Sequence, residues 1–372
     1  MKSRKKLVTL VLLLTSVLTF SSCLNQNGSG QNNSVQGINP INTTTAQTTG
    51  IHVYVAGSEM SGTGKYVAMY WKDGAPVLLT PANSTQNSLA NSIFVLGSDV
   101  YVAGMDGLRD GNPSTSKYWK NGVAVNLTNG TTASEAKSIF VSGSDVYVAG
   151  FERNNSGNFV AKYWKNGVAT LLGTGTTNSW AMSIFVSGSD VYVAGFEHNN
   201  NIEVAKYWKN GVAVNLTDGT RLAFANSIFV SGSDVYVAGY ETNSNGKTVA
   251  KYWKNGTETI LTDGTRDAET YSIFVSGSDI YVAGHEKVVG GSDNIAKYWK
   301  NGVATDLTTG AGGAITYSSS IVVSGSDVYV AGRSEVIPLS GRSVTCWKNT
   351  EPTTLTDGLA VDSIPGSVFV TN

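Results

Sequence analysis

Along residues 51–372, short apolar runs alternate with clusters of Gly, Asn, Ser and Asp. Residues 227–262, SIFVSGSDVYVAGYETNSNGKTVAKYWKNGTETILT, hold four such runs: SIFV, DVYVAG, AKYWK and ETILT. Each is rich in Val, Ile, Tyr, Phe or Trp and is bounded by turn-forming residues, which predicts strands joined by hairpins. Helical repeats are excluded, because the runs are short, β-branched and aromatic, and Gly interrupts them every few residues.

The unit repeats along the chain. Its second run begins at Ile51, Asp99, Asp145, Asp190, Asp234, Asp279 and Asp327. The YW pair of the third run (CW in the last copy) begins at Tyr70, Tyr118, Tyr163, Tyr207, Tyr252, Tyr298 and Cys346. Seven copies with a period of about 46 residues and four strands each predict an all-β, seven-bladed β-propeller of four antiparallel strands per blade. The ends support a closed ring. The first copy lacks its first run, and the missing piece is Ser367-Val368-Phe369-Val370, which matches SIFV. This C-terminal strand, 367–370, is expected to complete the first blade and leave no free sheet edge between first and last blades.

The repeat resembles a kelch repeat: an inner strand, a strand ending in glycine, then strands bearing Tyr and Trp. Here the paired glycines of kelch are Ala-Gly, and Trp directly follows Tyr. The unit is also loosely similar to bacterial extracellular HAF-type repeats. Both likenesses imply a propeller over about residues 51–372.

The N-terminus has a different character. Residues 1–22 have a basic start and an apolar stretch too short for a comfortable membrane span, the form of a secretory signal peptide. Phe20-Ser21-Ser22-Cys23 resembles a bacterial lipobox, which implies Cys23 as the acylated first residue of a lipoprotein. The segment 23–50 is polar and uncharged and reads as a disordered tether spanning roughly 30 Å. Leu24 after the cysteine is similar to lipoproteins sent to the outer membrane, so the expected location is the bacterial cell envelope. Contact with the membrane is expected through the lipid anchor only.

Charge and cysteine content narrow the function. The 26 basic and 27 acidic residues give a net charge of −1 and are dispersed, which leaves no footprint for nucleic acid. The second cysteine, Cys346, takes the place of a strand tyrosine, so no disulfide is expected. His52, His198 and His285 show no metal-ligand spacing, and no nucleophile elbow, phosphate loop or dinucleotide fingerprint occurs. No metal, cofactor or catalytic residue is therefore assigned, and a monomer is expected.

Strand alternation puts the SGSD and KNG turns on one rim and the remaining loops on the other. The turns barely vary between copies, whereas MDGLRDGNPSTS, EHNNNIE and HEKVVGGSDN show how far the loops diverge. A constant frame with one variable rim suggests a binding surface, although drift between copies produces the same pattern. The positions just before SI would surround the channel mouth. Glu135, Lys137, Trp180, Met182, Phe224, Asn226, Glu269, Tyr271 and Tyr317, with Arg221 and Arg266 nearby, form the candidate ligand site. Aromatics mixed with carboxylates, amides and guanidinium suit a protein or glycan ligand, and a plugged mouth without ligand is the competing reading. An acidic residue follows the second strand in every copy: Glu59, Asp106, Glu152, Glu197, Glu241, Glu286 and Glu335. Lys117, Lys162, Lys206, Lys251 and Lys297 precede YW, and hairpin pairing predicts cross-strand ion pairs in those five blades. The resulting expectation is an envelope-anchored binding module for a protein or glycan. A carbohydrate-active enzyme using rim carboxylates such as Glu135 and Glu269, or a passive structural lipoprotein, are the alternatives.

Overall fold

A computed structural model describes residues 50–107, 112–289, 293–309, 316–336, 341–356 and 362–371. The signal peptide, Cys23 and all of the tether except Gly50 lie outside the described residues.

Seven four-stranded antiparallel sheets form the blades of a propeller. Blade two shows the pattern: Ser88–Leu96 innermost, then Asp99–Gly107, Ser114–Lys120 and the short outer Val123–Asn126. Blade one is split as the sequence predicts. Its innermost strand is the C-terminal Ser363–Thr371, longer at both ends than the SIFV match, and it pairs with His52–Met60 from His52↔Thr371 to Glu59↔Ser363.

The core lies between blades. The third-strand tryptophans Trp71, Trp119, Trp164, Trp208, Trp253, Trp299 and Trp347 are each 1% exposed. At about 25 cal/mol per Å2 and on the order of 200 Å2 per ring, each contributes roughly 5 kcal/mol of gross burial. Trp253, for example, packs with Tyr192, Ala194 and Ala205 of blade four. Cys346 is buried in its tyrosine position and is a free thiol.

The constant turns are tied together more firmly than local backbone bonding would require. In blade two the Asp99 carboxylate accepts the Asn121 amide at 2.8 Å and the Lys120 ammonium at 2.9 Å, while the Asn121 carbonyl oxygen accepts the Val100 N–H. The same clasp recurs at Asp145, Asp190, Asp234, Asp279 and Asp327. It joins the SGSD turn to the KNG turn and places both on one rim. Each clasp asparagine takes a left-handed backbone, with φ near +50° to +60°, a conformation that Asn tolerates well.

Candidate functional site

The innermost strands carry the candidate residues, and a bulge decides where each side chain goes. Glu135 pairs with Phe151 and Ala136 with Gly150, but the next partner of Ala149 is Ser138, which leaves Lys137 unpaired. The same shift leaves Asn91, Met182, Asn226, Tyr271 and Ser319 unpaired in their blades. The candidate residues just before SI thus lie within strands such as Ser134–Ser142 and Ser179–Ser187. An inserted residue reverses the alternation of faces, so the two members of each pair part company.

The bulge also accounts for the Ala-Gly of the second strand. A Cβ on Gly195 would lie 1.9 Å from the Trp180 carbonyl oxygen, and one on Gly239 would lie 1.9 Å from that of Phe224. The bulged backbone presses onto these glycines, where only a residue without a side chain fits.

The first member of each pair becomes a spacer between blades. Trp180 stacks on Phe196 at 4.8 Å, Phe196 meets Phe224 of the next blade edge-on at 4.7 Å, and Phe224 stacks on Tyr240 at 4.9 Å. Tyr317 meets the face of His285 edge-on at 4.9 Å, and Tyr271 stacks on that imidazole at 5.6 Å. His285 is buried, its Nδ1 has no partner, and desolvation holds its pKa down at about 4. Glu269 accepts the Tyr271 hydroxyl at 2.6 Å, and burial raises its carboxyl above the ordinary value. Glu135 accepts Lys137 at 2.9 Å and the Asn91 amide at 3.0 Å.

The second member lines the channel. Lys137, Met182, Asn226 and Tyr271 border a mouth cavity of about 220 Å3 together with Asn91, Ser319 and Gly366. Asn226 donates to the Thr270 carbonyl of the next blade at 2.8 Å, as Asn91 does to Ala136. The two arginines are elsewhere. Arg221 is exposed in its loop, whereas Arg266 pairs with Glu286 at 2.7 Å and donates to the Lys287 carbonyl.

Two rings escaped the sequence reading although SIF spells both. In the first, each blade's serine accepts the main-chain N–H of the isoleucine (valine in blade one) in the next. Ser92 accepts from Ile139, Ser138 from Ile184, Ser183 from Ile228 and Ser227 from Ile273, each at 3.2 Å. Ser272, Ser320 and Ser367 complete the circle through Ile321, Val368 and Ile93 at 2.8–3.1 Å. In the second, Phe369, Phe94, Phe140, Phe185, Phe229 and Phe274 follow one another at 4.8–5.0 Å between ring centroids. Val322 holds the seventh equivalent position.

The recurrent carboxylates behave as hairpin pairing predicts. Lys162 meets Glu152 at 2.6 Å, Lys251 meets Glu241 at 2.7 Å and Lys297 meets Glu286 at 2.6 Å. Lys117 pairs with Asp106 and Lys206 with Glu197 in the same manner. Each of the five ammonium groups also lies 5.7–6.0 Å from the centroid of its blade's Trp, close enough for a cation–π contribution.

Fold and site define a seven-bladed propeller with a narrow, hydroxyl-lined channel mouth. No family model matches the chain, and no curated protein matches it. Among solved structures it is similar to a puromycin-hydrolysing peptidase of Mycobacterium tuberculosis, with a TM-score of 0.55 and 11% identity over 83% of this chain and 52% of that one. It is also similar to the acylaminoacyl peptidase of Pyrococcus horikoshii, with a TM-score of 0.50 and 12% identity over 82% of this chain and 51% of that one. The chain thus spans about half the length of each peptidase, and likeness at these identities is likeness of fold. These neighbours correct the expectation of an envelope binding module for a protein or glycan. These two solved chains are peptidases, and the Trp180 and Phe224 rings of this chain are packed between blades instead of standing free. The alternative of a sugar-directed enzyme loses its footing as well, because Glu135 and Glu269 are each engaged by donors in the channel wall.

Proposed function

We propose a peptidase-type function in which this chain supplies the propeller and a separate hydrolytic unit supplies the nucleophile. The observation that carries the reading is the likeness to two peptidases, each about twice as long as the part that superposes. The histidines support the division of labour. His52 Nδ1 pairs with Asp73, His198 Nδ1 with Glu203, and the buried His285 Nδ1 has no partner; among the described residues no hydrogen bond joins any of the three to a serine or cysteine. The propeller's part is to limit what reaches the hydrolytic centre. A mouth of about 220 Å3 is smaller than the ~300–1,000 Å3 of sites for drug-sized ligands, so it takes a chain end or a side chain and turns away folded domains. Isolation of the full-length chain with its associates, followed by assay on a fluorogenic peptide library, tests the reading. Peptide hydrolysis that co-isolates with the chain and falls on its depletion is expected. A folded chain whose associates hydrolyse no member of the library refutes it.

We further infer that the ring is held in a bacterial envelope by a lipid on Cys23, on the strength of the basic, apolar and Ser-Ser-Cys sequence before it. Incorporation of labelled palmitate that is lost in Cys23→Ser supports this inference, and unchanged labelling overturns it. The kelch-like and HAF-like character is taken as a property of the repeat unit, without a function attached.

A further inference from the structure

We propose that the channel mouth is a binding site for a small oxyanion of carboxylate or phosphate type. A serine hydroxyl offers one donor and two acceptor positions. In the serine ring one acceptor position of every hydroxyl is filled by a neighbouring main-chain N–H. Among the described residues no acceptor takes the hydroxyl hydrogens. All seven serines line the same cavity of about 220 Å3, so seven O–H donors border one small space.

The donors around that space favour an anion. Lys137 lines the cavity and donates one N–H to Glu135 at 2.9 Å, which leaves two for a ligand. The two carboxylates near the mouth are already satisfied: Glu135 by Lys137 and Asn91, Glu269 by the Tyr271 hydroxyl. A surplus of donors beside one ammonium complements a group made of acceptor oxygens, and bonds of that kind are stronger than neutral ones. Two residues further along the inner strands runs the phenylalanine ring, with Val322 in the seventh place, so the chain beyond the serines is apolar. Met182 and Pro365 add apolar wall, which suits an oxyanion carried on a short carbon chain.

This inference stands on the geometry of the mouth and does not need the peptidase reading. The oxyanion has two sources, a free ion or the C-terminus of a short peptide, and calorimetric titration separates them. The full-length chain is titrated with inorganic phosphate, acetate, Gly-Gly and Gly-Gly amide. Saturable binding of phosphate or acetate identifies a free-ion site. Binding of Gly-Gly at least ~10-fold tighter than of its amide and of acetate identifies a peptide terminus. In either case Lys137→Met is expected to weaken binding by ~10-fold in a protein that still folds, with a melting temperature lowered by the Glu135 carboxylate left without its ammonium. Ser183→Ala together with Ser227→Ala is expected to weaken it further. Absence of saturable binding by folded protein overturns the proposal and leaves the hydroxyls to ordered water. Equal affinity for Gly-Gly and its amide without binding of phosphate or acetate, or affinity untouched by Lys137→Met, overturns it as well. Peptide hydrolysis that co-isolates with a chain binding no oxyanion would sink this site alone.

Discussion

The ion pair beneath the tryptophan of five blades is the same chemistry placed at different depths, so one substitution made in two of them separates burial from charge. In blade six Lys297 and Glu286 are 2.6 Å apart with both side chains 7% exposed, and Arg266 reaches the other carboxylate oxygen at 2.7 Å. In blade three Lys162 and Glu152 have the same 2.6 Å separation, but their side chains are 11% and 23% exposed. Glu286→Gln keeps the shape and removes the charge, stranding an ammonium that packs on the Trp299 face. Stranding a buried charge costs about 3–5 kcal/mol. Asp306, 3.3 Å from Lys297 and 57% exposed, offsets a little of this, which points to about 3 kcal/mol. Glu152→Gln leaves an ammonium that water reaches more readily, and about 1–2 kcal/mol is expected. Adding Lys297→Met to Glu286→Gln removes the stranded charge and should recover at least half of the loss. Urea unfolding followed by circular dichroism measures all of these if the m-value is unchanged. Equal losses in the two blades, or no recovery in the double variant, would refute the assignment of this energy to desolvated charge.

Three further outcomes follow from the same geometry. Gly195→Ala sets a Cβ 1.9 Å from a carbonyl oxygen and should cost more than about 3 kcal/mol, whereas Gly188→Ala, at φ +59° in open space, should cost about 1 kcal/mol; thermal melts compare the two. His285 binds a proton at about 4 in the fold and near 6.5 when unfolded, so its stabilisation is complete above pH 6.5 and declines as pH falls towards 4. The loss is about 3 kcal/mol, and a His285→Phe variant should lack that slope in denaturant titrations across the window. Ser227→Ala strips the Ile273 N–H of its acceptor and should lower stability by about 1–3 kcal/mol, with a neutral result refuting the ring's structural role.

The architecture was legible because it rests on period, turn chemistry and the split first copy, all of which are patterns of residue type. The carboxylate and lysine pairs were legible for a similar reason, since hairpin register follows from the turn. The mouth was not. Glu135 and Lys137 are two residues apart, and simple alternation puts them on one face. The bulge at Lys137 sends one between blades and the other to the channel, and nothing in SEAKSIF spells an extra residue. The glycine of the second strand was the available sign, because it marks where the bulged backbone presses close. The serine and phenylalanine rings were hidden by a different cause. Each residue looks ordinary within its own repeat, and the ring exists only through contacts with the neighbouring blade.

The closing strand carries a further consequence. Ser363–Thr371 meets His52–Met60 through the same antiparallel register and bulge that unite the inner and second strands of every other blade. Its Val368 N–H and Ser367 hydroxyl fit the neighbours on either side as any inner strand does. A strand from another copy would therefore form the same bonds as the chain's own. Tethering to the same ring, which raises the strand's effective concentration, is what favours self-closure. As protein concentration approaches that effective value, exchange of closing strands between molecules becomes competitive, and linked rings with unchanged blades are the form it takes.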